Sequence, residues 1–369
     1  MFKNMRLGLR IASGFALILA LAVALGALAV WNMRNVQGLS VNLAREYVPE
    51  VSVANNIERY SLATMYEMRG FAMSYDMHYV EEGKKNLQEA KKFIDEAKQL
   101  AARSLELVKL KEGVISTEAK VIEYEQLVNE TVARSEEISK IRKAMDEATA
   151  KFAKNAGEYE TRQKTEFKVE IYNAEDSVKL LVRQLKLETI NEIVSLGHSV
   201  RISNFKFQTL ADPRIIEEGL KLFPEIEKKL EELKSKAVSE LDKQDLEEIG
   251  IAAASYKQSI IRFQQNWRAL QELEKKLGAI GDEIVATAKG TAMAGMGQAN
   301  EVADTAASSL SRSSFVVMAG LAAVIILDIL LAFVITRGIT KPILRVVAGL
   351  SEGADQVSAA SGQVSSASQ

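Results

Sequence analysis

AAASYKQSIIRFQQNWRALQELEKKLGAIGDEI, residues 252–284, reads as one long helix. Ala252, Tyr256, Ser259, Phe263, Asn266, Leu270, Leu273, Leu277, Ile280 and Ile284 recur at alternating steps of four and three, a heptad seam of about five repeats. Such a seam belongs to a helix packed in a bundle or coiled coil. From Asn32 to Arg312 other three-four stripes recur, and no period-two run of β-branched residues is sustained. The seam therefore predicts an all-α fold.

Composition agrees. Four prolines, no cysteine, 6% aromatic and 26% charged residues describe long helices. The missing cysteines exclude a disulfide scaffold, a structural zinc site and thiol nucleophile chemistry. Basic and acidic residues, 47 against 49, are interspersed and leave a net charge of −2, which is no footprint for nucleic acid. His78 and His198 are far apart and lack metal-ligand spacing, and no phosphate loop or nucleophile elbow appears. The expectation is a protein with no catalytic residues, no metal and no cofactor, and not an enzyme.

The mean hydropathy of −0.03 averages a polar middle with two greasy ends. Residues 11–31 carry no charge, and residues 315–335 carry one, Asp328. Each is about the length that crosses ~30 Å of hydrocarbon as a helix. Lys3, Arg6 and Arg10 precede the first span, and Arg337, Lys341 and Arg345 follow the second. Basic flanks at both outer ends place those ends in the cytoplasm and residues 32–314 outside it. Ala27-Leu28-Ala29 resembles a signal cleavage site, but the apolar run exceeds a signal core and reads as an uncleaved anchor. Asp328 is either functional, set in a two-helix or dimer interface, or simply tolerated near small residues.

Breakers are scarce. Turns are expected at 76–79, 111–113, 212–213 and 241–242, with a further reversal at 173–177, where Asp176-Ser177 can cap the next helix; 155–157 is the alternative. An internal repeat supports this cutting. A shift of 136 residues matches 13 of the 49 positions from Asn55 to Arg103, among them Ile57/Ile193, Phe71/Phe207, Asp76/Asp212 and Glu81-Glu82-Gly83 against Glu217-Glu218-Gly219.

At ~1.5 Å per residue the six helices close only as two stacked four-helix bundles sharing two long helices, flanked by two transmembrane helices. Helices one, two, three and six make the lower bundle; three, four, five and six make the upper.

That architecture resembles the helical bimodular sensor domain of bacterial chemoreceptors and some sensor kinases. Ile339-Thr340-Lys341-Pro342-Ile343 resembles the opening of the HAMP linker of methyl-accepting chemotaxis proteins. Gly353-Ala354-Asp355-Gln356-Val357 and the run from Gln363 to Gln369 resemble the start of their signalling helix. The resemblance implies a cytoplasmic start at 1–10, a span at 11–31, a periplasmic ligand-binding domain at 32–314, a second span at 315–335 and a linker at 336–369. It also implies an inner-membrane homodimer working through CheA, CheW and the methylation enzymes. A full HAMP unit does not fit after Pro342, and Gln369 falls in mid-helix, so the chain reads as a fragment.

Polar groups at seam positions are candidates for a ligand site. In the upper bundle, His198, Arg201 and Phe205 share a stripe of helix four, and Gln258 and Arg262 share one of helix six at the same level. Two guanidiniums facing each other would take a small carboxylate between them; otherwise each points to solvent or a glutamate. In the lower bundle Arg59, Leu62, Tyr66, Arg69 and Met73 share a stripe; the resemblance implies arginines there that grip an acidic ligand, with Tyr60 and Tyr66 closing the pocket. The competing reading is a partly polar dimer seam. Met65, Met68, Met73 and Met77 read as core filler. Ala286, Gly290 and Ala294 make a small-residue stripe for close helix approach. The whole predicts a membrane receptor for a small organic acid anion. A sensor histidine kinase, a receptor engaged by a periplasmic binding protein and a structural tether are the rivals.

Overall fold

The computed structural model describes residues 7–367. Lys3 and Arg6, the Arg10 side chain and the terminal Gln369 of the signalling-helix motif lie outside the described residues. Among those described, every element is helical: α1 (Leu7–Asn42), a π-helical turn (Leu43–Tyr47), α2 (Val48–Ser74), α3 (Met77–Arg103), α4 (Val108–Tyr172), α5 (Ser177–Leu210), α6 (Pro213–Leu220), α7 (Phe223–Ser235) and α8 (Glu240–Ala367). They divide into two compact units.

The larger unit comprises residues 56–95 and 113–289 and holds two bundles. In the first, α2, α3, α4 and α8 enclose Ile57, Met65, Met68, Phe71, Tyr124 and Leu277. In the second, α4, α5, α6–α7 and α8 enclose a continuous core from Ile138 to Leu270. Its aromatic centre is Phe207, edge-on to Phe263 and Trp267 at 5.8 and 5.0 Å, with Phe223 against Tyr256 at 6.0 Å. The heptad seam is the α8 contribution: Ala252, Tyr256, Phe263, Leu270, Leu277 and Ile284 are all buried.

The 136-residue repeat is a repeat of geometry. Tyr75 and Ala211 both adopt left-handed backbone, φ 56° and 54°, closing α2 and α5 through N–H bonds to the Phe71 and Phe207 carbonyls. Asp76 and Asp212 then accept the His78 and Arg214 N–H groups and cap the next helix. Gly83 packs against Glu67, and Gly219 packs in the equivalent place against Ser203.

Several boundaries differ from expectation. The α3–α4 connection lies at Ser104–Leu107, not 111–113: Ser104 accepts the Glu106 N–H and donates to Glu46, while Leu107 is buried. Gly113 is simply helical, since an isolated glycine costs a helix only ~1 kcal/mol. The last turn precedes Glu240, because Ser239 takes the Leu241 N–H and draws Asp242 into the first turn of α8. Expected helix five is two helices; Pro224 has no N–H for the Leu220 carbonyl, so α6 ends there. The 173–177 reversal stands, with Asp176 accepting the Val178 N–H, and residues 155–157 lie inside α4.

The smaller unit comprises residues 1–55, 96–112 and 290–369. It contains two apolar helical segments long enough to cross a membrane. Phe15, Leu19, Trp31, Phe315, Ile329 and Phe333 are all exposed, an apolar surface that water would not tolerate. The segments pair antiparallel, Gly14 against Leu331 and Gly320 against Leu25. In the same direction Glu50 meets Gly295. The buried positions on α8 here are Thr291, Ala292 and Gly295; Ala286 and Gly290 of the expected stripe face outward, because the packed face lies a third of a turn away.

Candidate functional site

At one end of the second bundle the core seam changes character. Along α4, Met145, Ala148, Phe152, Ala156 and Tyr159 are buried apolar or aromatic positions at three-four spacing; the seam then continues as Gln163, Glu166 and Glu170. On α5, Ile193 and Ile190 give way to Lys186, Arg183 and Lys179, and on α8 Ile249 and Leu246 give way to Asp242. Helix formation carries these charges inward because they occupy the inward positions.

Asp242 is 3% exposed and accepts from Gln163 Nε2 at 2.8 Å, Arg162 Nη2 at 3.1 Å and Lys186 Nζ at 3.1 Å. Lys186 is itself only 4% exposed. Arg162 also reaches Asp245 and lies over the Tyr159 ring at 5.5 Å. Arg183 grips Glu170 with both Nε and Nη2, at 3.1 and 2.7 Å, and its Nη1 donates to Gln163 and Glu166. Gln163 thus ties the two clusters together. The hydrogen bond from Arg183 holds the Glu170 carboxyl below the usual carboxylate range, against the pull of burial. Burial, followed by the charge of Asp242, pushes the Tyr159 hydroxyl up.

Beside this network opens a cavity of about 330 Å³, lined by Lys179, Arg183, Lys186, Lys236, Ser239 and Asp242, among others. Asp242 occupies one of the three donors of the Lys186 ammonium. Lys179 and Lys236 pair with Glu175 and Glu232, each four residues earlier in the chain, at 3.2 and 2.7 Å. Glu166 and Glu170 also line the cavity and hold Arg183, so a small anion there would have to displace carboxylate partners from the ammonium groups.

The residues singled out from sequence lie elsewhere. Arg262 pairs with Glu137 at 2.7 Å, and Arg201 lies over the Phe205 ring at 5.5 Å. His198, Gln258 and both arginines are exposed, so the two guanidiniums are engaged separately: each side chain points off the bundle surface. Ser259, at the same level, lines a groove of about 530 Å³ between α4 and α8 with Ala148, Lys151 and Ser255. In the first bundle Arg59 lies 4.6 Å over Tyr60, which stacks on Phe93. Arg59, Leu62, Tyr66, Arg69 and Met73 are all exposed, the arrangement of an outward stripe. Arg69 also borders a cavity of about 220 Å³ with Met65, Met68, Tyr124 and Glu274. Burial raises the Glu274 carboxyl there. Of the four methionines, Met65 and Met68 are core, whereas Met73 and Met77 are exposed.

Sequence reasoning missed Arg162, Gln163, Arg183, Lys186 and Asp242. The signal was available: the α4 seam runs unbroken from apolar Ala156 through Tyr159 to Gln163, Glu166 and Glu170.

No family model and no curated protein matches the chain. Among solved structures, the chain is similar to the sensor domain of the V. parahaemolyticus histidine kinase sensor TorS, with a TM-score of 0.47 and 15% identity, over 65% of this chain and 97% of that one. It is also similar to the TorS sensor domain in complex with TorT in the presence of TMAO, with a TM-score of 0.38 and 13% identity, over 66% of this chain and 98% of that one.

Proposed function

We propose that the chain is the membrane-anchored sensory part of a receptor that recognises a small anion outside the cytoplasm and controls a histidine kinase. The kinase is carried on the same polypeptide in the sensor-kinase reading. In the chemoreceptor reading, for which the Ile339–Ile343 and Gly353–Val357 motifs speak, it is a separate CheA-type enzyme coupled through CheW. Both place residues 32–314 in the periplasm and the spans in the inner membrane.

The observation that carries the proposal is α8. Its first turn supplies Asp242 to the buried charge network, and its later course is the second apolar span. A ligand that competes with Asp242 for Lys186 acts on the first turn of the helix that enters the membrane. Moving a two-state equilibrium this way takes a differential affinity of a few kcal/mol.

The test is thermal unfolding of the full chain in detergent against small carboxylates, amino acids and inorganic anions. A ligand of the native state raises the midpoint by mass action. The expected hit is lost in Lys179→Ala or Lys236→Ala and kept in Arg201→Ala, Arg262→Ala and Arg59→Ala. A hit with the opposite pattern moves the site to the arginines; silence across the panel removes the direct-sensor reading.

A second reading is favoured by the rim of the cavity. Val182 and Val238 line it and are exposed. An apolar rim about a charged centre suits a protein partner such as a periplasmic binding protein.

The outward stripe of α2 supports a homodimer. The chain has no cysteine, so Leu62→Cys or Tyr66→Cys gives a clean readout: oxidation is expected to yield a disulfide-linked dimer, with Gln88→Cys, exposed on α3, as the control that yields none.

A further inference from the structure

Glu50, in the smaller unit, is fully buried, and no side chain donates a hydrogen bond to either carboxylate oxygen. Its slot is tight: a Cβ on Gly295 of α8 would lie 2.9 Å from Oε2. Burial raises the carboxyl to about 7; the Leu110 N–H, in the first turn of α4, works against this and loses.

No cation compensates. On its own helix, Glu46 takes the Ser104 hydroxyl at 2.5 Å, Tyr47 donates to Glu106 at 3.0 Å, and Arg45 is exposed. On the α3–α4 side, Arg103 and Lys111 are exposed, and Lys109 pairs with Glu112. On α8, residues 290–300 contain no titratable side chain. Burial is therefore what holds the carboxyl in its neutral form. Beside the slot, Pro49 has no N–H for the Arg45 carbonyl, and the Val48 N–H reaches back five residues to Leu43. A π-helical turn therefore lies directly before the slot.

We propose that Glu50 is a proton-binding site that gives the chain a second input, pH, separate from the ligand cavity. Neutral, the carboxyl fits the dry slot between the first turn of α4 and Gly295. Ionised, it requires water or a donor, and the slot opens at α8. A proton held more tightly in the closed form stabilises that form at low pH, and the stabilisation is lost as pH rises through about 7. The inference stands without the receptor reading, since it concerns only this slot.

The experiment uses the full chain in micelles of a detergent without ester groups. Spin labels on Val48→Cys and Met296→Cys, both exposed, flank the slot. Between about pH 6 and about pH 8.5 the label separation is expected to lengthen and broaden, and in the Glu50→Gln background to stay short at both. Equal distributions at both pH values overturn the proposal, as does a shift that survives Glu50→Gln. In the infrared, a protonated-carboxyl band of the parent chain at about pH 6 that is missing from Glu50→Gln is expected to vanish by about pH 8.5; the absence of any such difference band at the lower pH overturns the assignment.

Discussion

Glu170 and Glu50 are both buried carboxyl groups on long helices, and their surroundings push them in opposite directions. Glu170 lies at the charged end of the second bundle, held by both arms of Arg183, and is more acidic than an ordinary glutamate. Glu50 lies against a glycine with no cation beside it and is less acidic. The difference shows that burial alone does not set the charge of a carboxyl group; the donor set does. One region keeps its charges by pairing every one of them. The other leaves a carboxyl unpaired, and so makes its own packing depend on a proton.

Breaking the paired region produces the largest expected effect. Asp242→Ala strips the acceptor from Lys186, Arg162 and Gln163 and is expected to destabilise the chain by about 3–5 kcal/mol, read from urea unfolding in detergent. A change below ~1 kcal/mol would mean that the network is solvated.

Glu50→Gln is expected to do the reverse. At about pH 8.5 it raises stability by about 3 kcal/mol, and the gain shrinks to nothing as pH falls toward about 4.5. The sign follows from the raised carboxyl: stability is full below the unfolded value and lost as pH rises through about 7. Glu170→Gln sharpens the contrast, with a loss of about 1–3 kcal/mol at neutral pH that fades on acidification, because a depressed carboxyl contributes only where it is ionised. Parallel pH profiles for the two variants would refute the comparison.

The remaining effects are smaller. Asp212→Ala removes the cap of α6 and is expected to cost about 1 kcal/mol in thermal unfolding. Lys257→Ala breaks an exposed pair with Glu227, and about 0.5 kcal/mol or less is expected.

Element type was legible wherever a seam was long. The α8 seam, the Asp176 and Asp212 caps and the duplicated turn all depend on residues close in sequence, and the structure has them where the periodicity places them. The turns at 104–107 and 236–239 were not, because serine hydroxyls make them and Gly113 is a weak breaker. Arg201 and Arg262 were read as facing one another from level alone; level fixes height along a bundle and leaves rotation about the helix axis free. That rotation turned Arg262 to Glu137.

The sequence by itself determined the all-α class, the two spans, the repeat and the continuity of the last helix, since each follows from local periodicity and composition. Only the tertiary structure decided which charges are buried together. Gln163, Arg183, Lys186 and Asp242 come from three helices, and Glu50 and Gly295 are separated by most of the chain. Whether a charge is paired or bare depends on what the neighbouring helices present at its level, and no window along one helix contains that.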